Sequence, residues 1–231
     1  MASESERRDE HWLRDRVRLS WVQQSLLLGA VLTILWMRVV PADLTRRVAV
    51  DAVLLIGGPL ALALSQGKRI GWRIDRVAIR NSILLAVFVL PFYVVGSTLP
   101  TIRAFYPIWE TSAAPAAFIP HAIKLFVLAL AAETYYRGLL CVGVKRLGFV
   151  AVFISPVVYM LHHASKPPIE FVLSGPTDVL FGAIDYKSDS ILPSVVAHGG
   201  GLVLLDWLVL HDPVFDPAIV VRFLEWLPVP V

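Results

Sequence analysis

Residues 131–138 read AAETYYRG and lie in a part of the chain that is otherwise strongly apolar. Glu133 and Arg137 stand four positions apart, so on a helix they share one face, a turn from each other. A charge in hydrocarbon is costly, and ionisable residues of membrane helices face a bundle interior and mark functional sites. The fold therefore turns on whether the surrounding stretch is a membrane helix.

Composition answers that. The chain has 231 residues, of which 57% are hydrophobic and 17% charged, with a mean hydropathy of +0.68. Soluble domains are about 45–50% apolar and about 25% charged. The apolar excess is spread over several long runs, which predicts an all-α polytopic transmembrane helix bundle embedded in a lipid bilayer. The net charge is +3. Its Lys and Arg residues fall in short loops between apolar runs, a pattern that reports orientation and not nucleic-acid binding. A single cysteine, Cys141, excludes an internal disulfide framework and any multi-cysteine metal site.

A window of about 20 apolar residues per crossing predicts about seven spans. They run from Trp21 to Val40, Val48 to Leu64, Ser82 to Leu99, Ala116 to Lys145, Phe149 to His163, Glu170 to Ile184 and Ile191 to Leu210. Basic residues in the N-terminal tail, in the 68–80 loop and at Lys145–Arg146 then fall on one side, which predicts a cytoplasmic N-terminus. Residues 1–20 are expected as a cytoplasmic amphipathic tail and 21–115 as N-terminal transmembrane helices. Residues 116–210 form the expected helical core, and the proline-rich 211–231 an interfacial segment. DYKSDS is expected as a polar turn.

The apolar second half contains His121, Lys124, Glu133, Arg137, His162, His163, His198 and Asp206. His121 and Lys124, near one end of a long helix, are expected as interface anchors. His162 and His163 point about 100° apart, so at most one of them faces a given site. His198 is followed by Gly199, Gly200 and Gly201, which are expected to let another backbone approach closely. Three helices each delivering a carboxylate or an imidazole is how bundles build metal or acid–base sites. Two imidazoles and a carboxylate could hold zinc with a position open for water, or, without metal, Glu133 could serve as general base. Ser155, Ser165 and Ser194 lack a nucleophile-elbow context.

ETYYRG (Glu133 to Gly138), YMLHH (Tyr159 to His163) and SVVAHGGG (Ser194 to Gly201) together resemble the CPBP group of intramembrane proteases. That group includes the CAAX-processing endoproteases and the bacterial Abi-type proteins. The stretch HHASKPPIE, with Lys166, Pro167 and Glu170, is similar to some bacterial members. The resemblance covers about residues 116–210 and implies Glu133, Arg137, His163 and His198 as catalytic residues. His163 is preferred to His162 because Tyr159 stands four residues before it. The same resemblance implies zinc on His163, His198 and Glu133, or a glutamate-dependent mechanism.

Two positions depart from the family pattern. Ala132 stands where an adjacent first glutamate activates water, and Leu202 where many members carry Asn or Asp. Asp206 is a poorly placed substitute for the latter. The expected function is thus an intramembrane endopeptidase acting on a membrane protein or peptide substrate in a bacterial inner membrane. The alternatives are a catalytically inactive scaffold or binding protein of the same fold, and a small transporter or proton relay.

Overall fold

The structure, a computed structural model, describes residues 19–39, 43–227 and 229–230. The expected N-terminal tail lies almost wholly outside the described residues. The described chain is all helical: α1 (Trp21–Arg38), α2 (Leu44–Ser65), α3 (Arg76–Gly96), α4 (Pro115–Val142), α5 (Lys145–His162), α6 (Pro168–Ser188), α7 (Leu192–Val209) and α8 (Pro217–Leu224). Five of them, α2, α3, α4, α5 and α7, are long and apolar enough to cross a membrane. The other two expected crossings coincide with α1 and α6, which do not reach that mark. The chain is an integral membrane protein.

Local chemistry sets the helix starts. Ser20 and Gln23 form a reciprocal capping box at α1. The side chains of Asp43 and Asp75 accept the first-turn N–H groups of Arg46 and Ala78 at α2 and α3, which satisfies donors that a helix leaves orphaned. α4 begins as an ordinary helix and widens into a π segment over Thr134–Val142. It ends there, three residues short of the expected Lys145. α5 starts as a 3₁₀ stretch, Lys145–Phe153, and becomes α-helical at Ser155–His162.

DYKSDS is not the turn expected from its polarity. α6 continues through Ser188 and stops at Asp189, which adopts the left-handed conformation at φ 52°. Asp185 is completely buried because it caps the next helix, accepting Ser194 N–H at 3.2 Å and the Ser194 hydroxyl.

Small residues bring the helices together, as they must where lipid is as apolar as the side chains. α7 lies along α3 and α4. A Cβ at Gly199 would stand 2.7 Å from the Phe126 ring, one at Gly201 would collide with the Tyr93 ring, and one at Gly200 would meet nothing. The glycines thus admit aromatic side chains, not another backbone. Gly138 admits the Ile70 carbonyl, 3.0 Å from where its Cβ would be.

That close approach seats the basic loop between α2 and α3 against the bundle. Arg73 and Lys145 meet Asp189 at 3.6 and 3.2 Å, so the two basic segments lie at one end of the bundle. At the other end Arg103 donates to the carbonyls of Val209 and His211 at 2.9 and 2.6 Å, tying the α3–α4 connection over the end of α7. α8 has eight residues, too few to cross a bilayer.

Candidate active site

The site begins where α4 changes pitch. All nine residues of Thr134–Val142 are buried, and the wider winding is registered in the Gly143 N–H bond to the Gly138 carbonyl at 2.7 Å. Such π segments recur at functional sites. Glu133 is the last α-helical residue before it, and Arg137 lies within it. Their exposures are 0% and 1%, and Arg137 Nε lies 3.3 Å from Glu133 Oε2. The pair is an ion pair without an aligned hydrogen bond, because both Nε and Oε2 lack a hydrogen-bond partner.

The aligned partner of Arg137 is Asp178 on α6, whose Oδ1 accepts from Nη1 at 2.5 Å. Its Oδ2 accepts from the Ser155 hydroxyl at 2.6 Å. A single guanidinium thus serves two buried carboxylates, Glu133 and Asp178, from different helices.

The other oxygen of Glu133 reaches α7. His198 Nδ1 lies 2.6 Å from Glu133 Oε1, across 65 residues of sequence. A carboxylate oxygen accepts, so Nδ1 carries the hydrogen and donates it, leaving Nε2 for other chemistry. Glu133 is enclosed, whereas the His198 side chain retains 14% exposure. The carboxylate is the inner partner of the pair and the imidazole the outer one.

His163 closes α5 as its C-cap. Its Nδ1 donates to the Tyr159 carbonyl at 2.9 Å, and its ring lies 4.0 Å from the Tyr159 ring. The Tyr159 ring is also near His198, with ring centroids 6.4 Å apart. With Nδ1 of His163 donating to the Tyr159 carbonyl, the lone pair of the neutral ring lies on Nε2. His162 points elsewhere: Nδ1 pairs with the Tyr136 hydroxyl, and the ring stacks on Trp36 at 4.1 Å. The bond to Tyr136, three residues after Glu133, ties the end of α5 to the π segment of α4.

Two residues expected at the membrane interface or as substitutes lie elsewhere. His121 is not an interface anchor; it is 5% exposed and paired with Asp206 at 2.7 Å, which removes Asp206 from the role of substitute. Lys124 does lie at the surface, bonded to Thr45 at 2.8 Å. Ser155 and Ser194 spend their hydroxyls on aspartates, and the Cys141 thiol is buried against the Gly182 carbonyl at 3.5 Å.

Glu133 Oε1 is engaged with His198 Nδ1 and His163 Nδ1 with a backbone carbonyl, which leaves the two Nε2 atoms as the nitrogens open to a metal. Among the described residues no group of three or more His, Cys, Asp or Glu is arranged to hold a metal.

Residues 114–201 match the Rce1-like family, described as type II CAAX prenyl endopeptidase Rce1-like. That stretch of the chain is similar to the CAAX-processing endopeptidases. The match runs from the start of α4 to Gly201 and contains Glu133, Arg137, His163 and His198, so the resemblance read from the three motifs is found again over those residues. Comparisons with curated proteins and with solved structures each returned no match.

Asp178, Asp185 and Glu170 were not among the site residues expected from sequence. Asp178 and Asp185 are seven apart on α6, two turns along one face, and that spacing was the available signal. Ala132 packs against the apolar cluster of Leu32, Leu55, Tyr136 and Tyr159, about 100° around the helix from Glu133.

Proposed function

We propose that this chain is an intramembrane endopeptidase that hydrolyses a peptide bond of a membrane protein or peptide, in or near the bilayer. The contact between Glu133 Oε1 and His198 Nδ1 carries the reading. An enclosed carboxylate holding one nitrogen of a partly exposed imidazole fixes its tautomer and offsets the charge that the ring takes when Nε2 is protonated. His163, neutral and with Nε2 unprotonated, is the base.

The water oxygen bonds to the carbonyl carbon while a water proton passes to His163 Nε2 and the π electrons move to the carbonyl oxygen. His163 passes that proton to His198 Nε2, whose Nδ1–H stays on Glu133, and His198 Nε2 hands it to the amide nitrogen as the C–N bond breaks, which leaves both rings as they began. Arg137, fixed by Asp178, holds Glu133 in place, so its part is orientation. The basic end formed by the 68–80 loop and Lys145 is assigned to the cytoplasmic face of a bacterial inner membrane.

A second reading has an observation of its own. Glu133, Arg137 and Asp178 also bind α4, α6 and α7 into one body, which an inactive scaffold would need equally. Cleavage of a quenched membrane-peptide library by the purified protein in detergent separates the two. The endopeptidase reading expects cleavage by the wild type and its loss in Glu133→Gln and His198→Ala at nearly unchanged thermal stability. Silence of the wild type across the library, with both variants merely unfolding earlier, favours the scaffold.

A further inference from the structure

Outside the Glu133–His198 pair, one other carboxylate among the described residues, half-buried Glu170, has a buried oxygen with no hydrogen-bond partner. Glu170 sits in the first turn of α6, just after Pro167 and Pro168. Its Oε1 accepts from the Tyr106 hydroxyl at 2.8 Å and lies 3.2 Å from the Lys166 ammonium. Lys166 also donates to the Tyr106 oxygen at 2.5 Å and stands over the Phe105 and Tyr106 rings, 5.0 and 4.7 Å from their centroids. Glu170 is therefore held by two partners, Tyr106 and Lys166, which are themselves bonded to each other. Its Oε2 is buried and accepts nothing.

The remaining neighbour is His163, whose Nε2 lies 3.9 Å from Glu170 Oε1. The Tyr159 carbonyl takes the Nδ1 hydrogen, so Nε2 presents a lone pair. A lone pair and a carboxylate do not bond each other; a molecule with two hydroxylic hydrogens satisfies both, and polar separations beyond about 3.5 Å are where bridging water is found.

We infer that Glu170 and His163 form a water clamp, and that Glu170 is the positioning residue for the hydrolytic water. One O–H points to His163 Nε2 and the other to the Glu170 carboxylate, leaving the oxygen lone pairs for the substrate carbonyl carbon. As the O–C bond forms, the first hydrogen passes to Nε2 and the second stays on the new carboxyl group. The clamp itself stands on geometry, while its place in hydrolysis rests on the endopeptidase reading.

Two readouts on the purified protein in detergent test it. The first is the ¹⁵N resonance of His163 Nε2 in histidine-labelled protein, assigned by its loss in His163→Asn. The second is cleavage kinetics. Glu170→Gln keeps the shape but removes the charge, and Lys166→Met combined with Glu170→Gln removes the unpaired ammonium that could unfold the single variant. Both are expected to shift the Nε2 resonance and to lower kcat about 10²-fold, within the usual worth of a positioned proton-transfer partner, with KM little changed. Glu170→Asp should restore part of kcat. An unmoved Nε2 resonance in both variants overturns the clamp, whatever the activity. A moved resonance in a protein that cleaves nothing upholds the clamp and removes the endopeptidase reading instead.

Discussion

Arg137 of α4 and Asp178 of α6 meet at 2.5 Å with side-chain exposures of 1% and 0%. Their pairing makes the guanidinium a fixed post between two carboxylates, and Glu133 is the one left with an oxygen to spare. A buried ion pair adds little over an apolar pair of the same volume, but removing one partner strands the other's charge. Asp178→Ala is therefore expected to destabilise the fold by about 3–5 kcal/mol, read as a lowered chemical-unfolding midpoint in detergent. Arg137→Met combined with Asp178→Leu should cost less than the single change, because no charge is stranded on either partner.

Glu133→Gln should separate stability from activity. The amide can still face His198, but it no longer offsets charge on the ring. Loss of about 10²–10⁴-fold in kcat is expected, with a thermal midpoint close to wild type. A retained rate would place the catalytic carboxylate elsewhere.

The adjacent histidines should part company. His162→Phe keeps the stack on Trp36 and loses the bond to Tyr136, so it is expected to cost stability and leave kcat near wild type. His163→Asn should do the reverse. Parallel unfolding and cleavage measurements on both variants check this, and equal losses of activity would contradict the placement of the two rings.

The glycine run gives a steric contrast within three residues. Gly201→Ala forces a methyl group into the Tyr93 ring, and overpacking of this kind costs about 1–3 kcal/mol. Gly200→Ala meets open space and should be neutral or slightly stabilising, since alanine is the better helix former. Unfolding midpoints of the two variants should move in opposite directions or differ clearly.

Much of the architecture was legible because membrane helices leave few choices for a charged residue. Glu133 and His198, ionisable residues within apolar helices, had to face inward, and they meet. The rest depended on register and composition. No residue type signals that α4 winds wider from Thr134 onward. α6 carries Glu170, Asp178, Asp185 and Lys187, so by length and composition it does not qualify as a crossing, although it supplies the carboxylate that anchors Arg137. Asp185 read as a turn residue because it sits among polar neighbours, and only the start of α7 reveals it as a cap.

The loop between α2 and α3 has a consequence beyond holding the basic end together. Trp72 donates its indole N–H to the Thr134 hydroxyl at 3.1 Å, the residue next to Glu133. The Gly71 carbonyl accepts the Ile191 N–H at 2.9 Å, at the head of the helix that carries His198. A loop rich in lysine and arginine therefore grips both halves of the carboxylate–imidazole pair, through the contact of Trp72 with α4 and that of Gly71 with the head of α7. Its two adjacent contacts make it a clasp outside the bundle that ties the positions of Glu133 and His198 to each other.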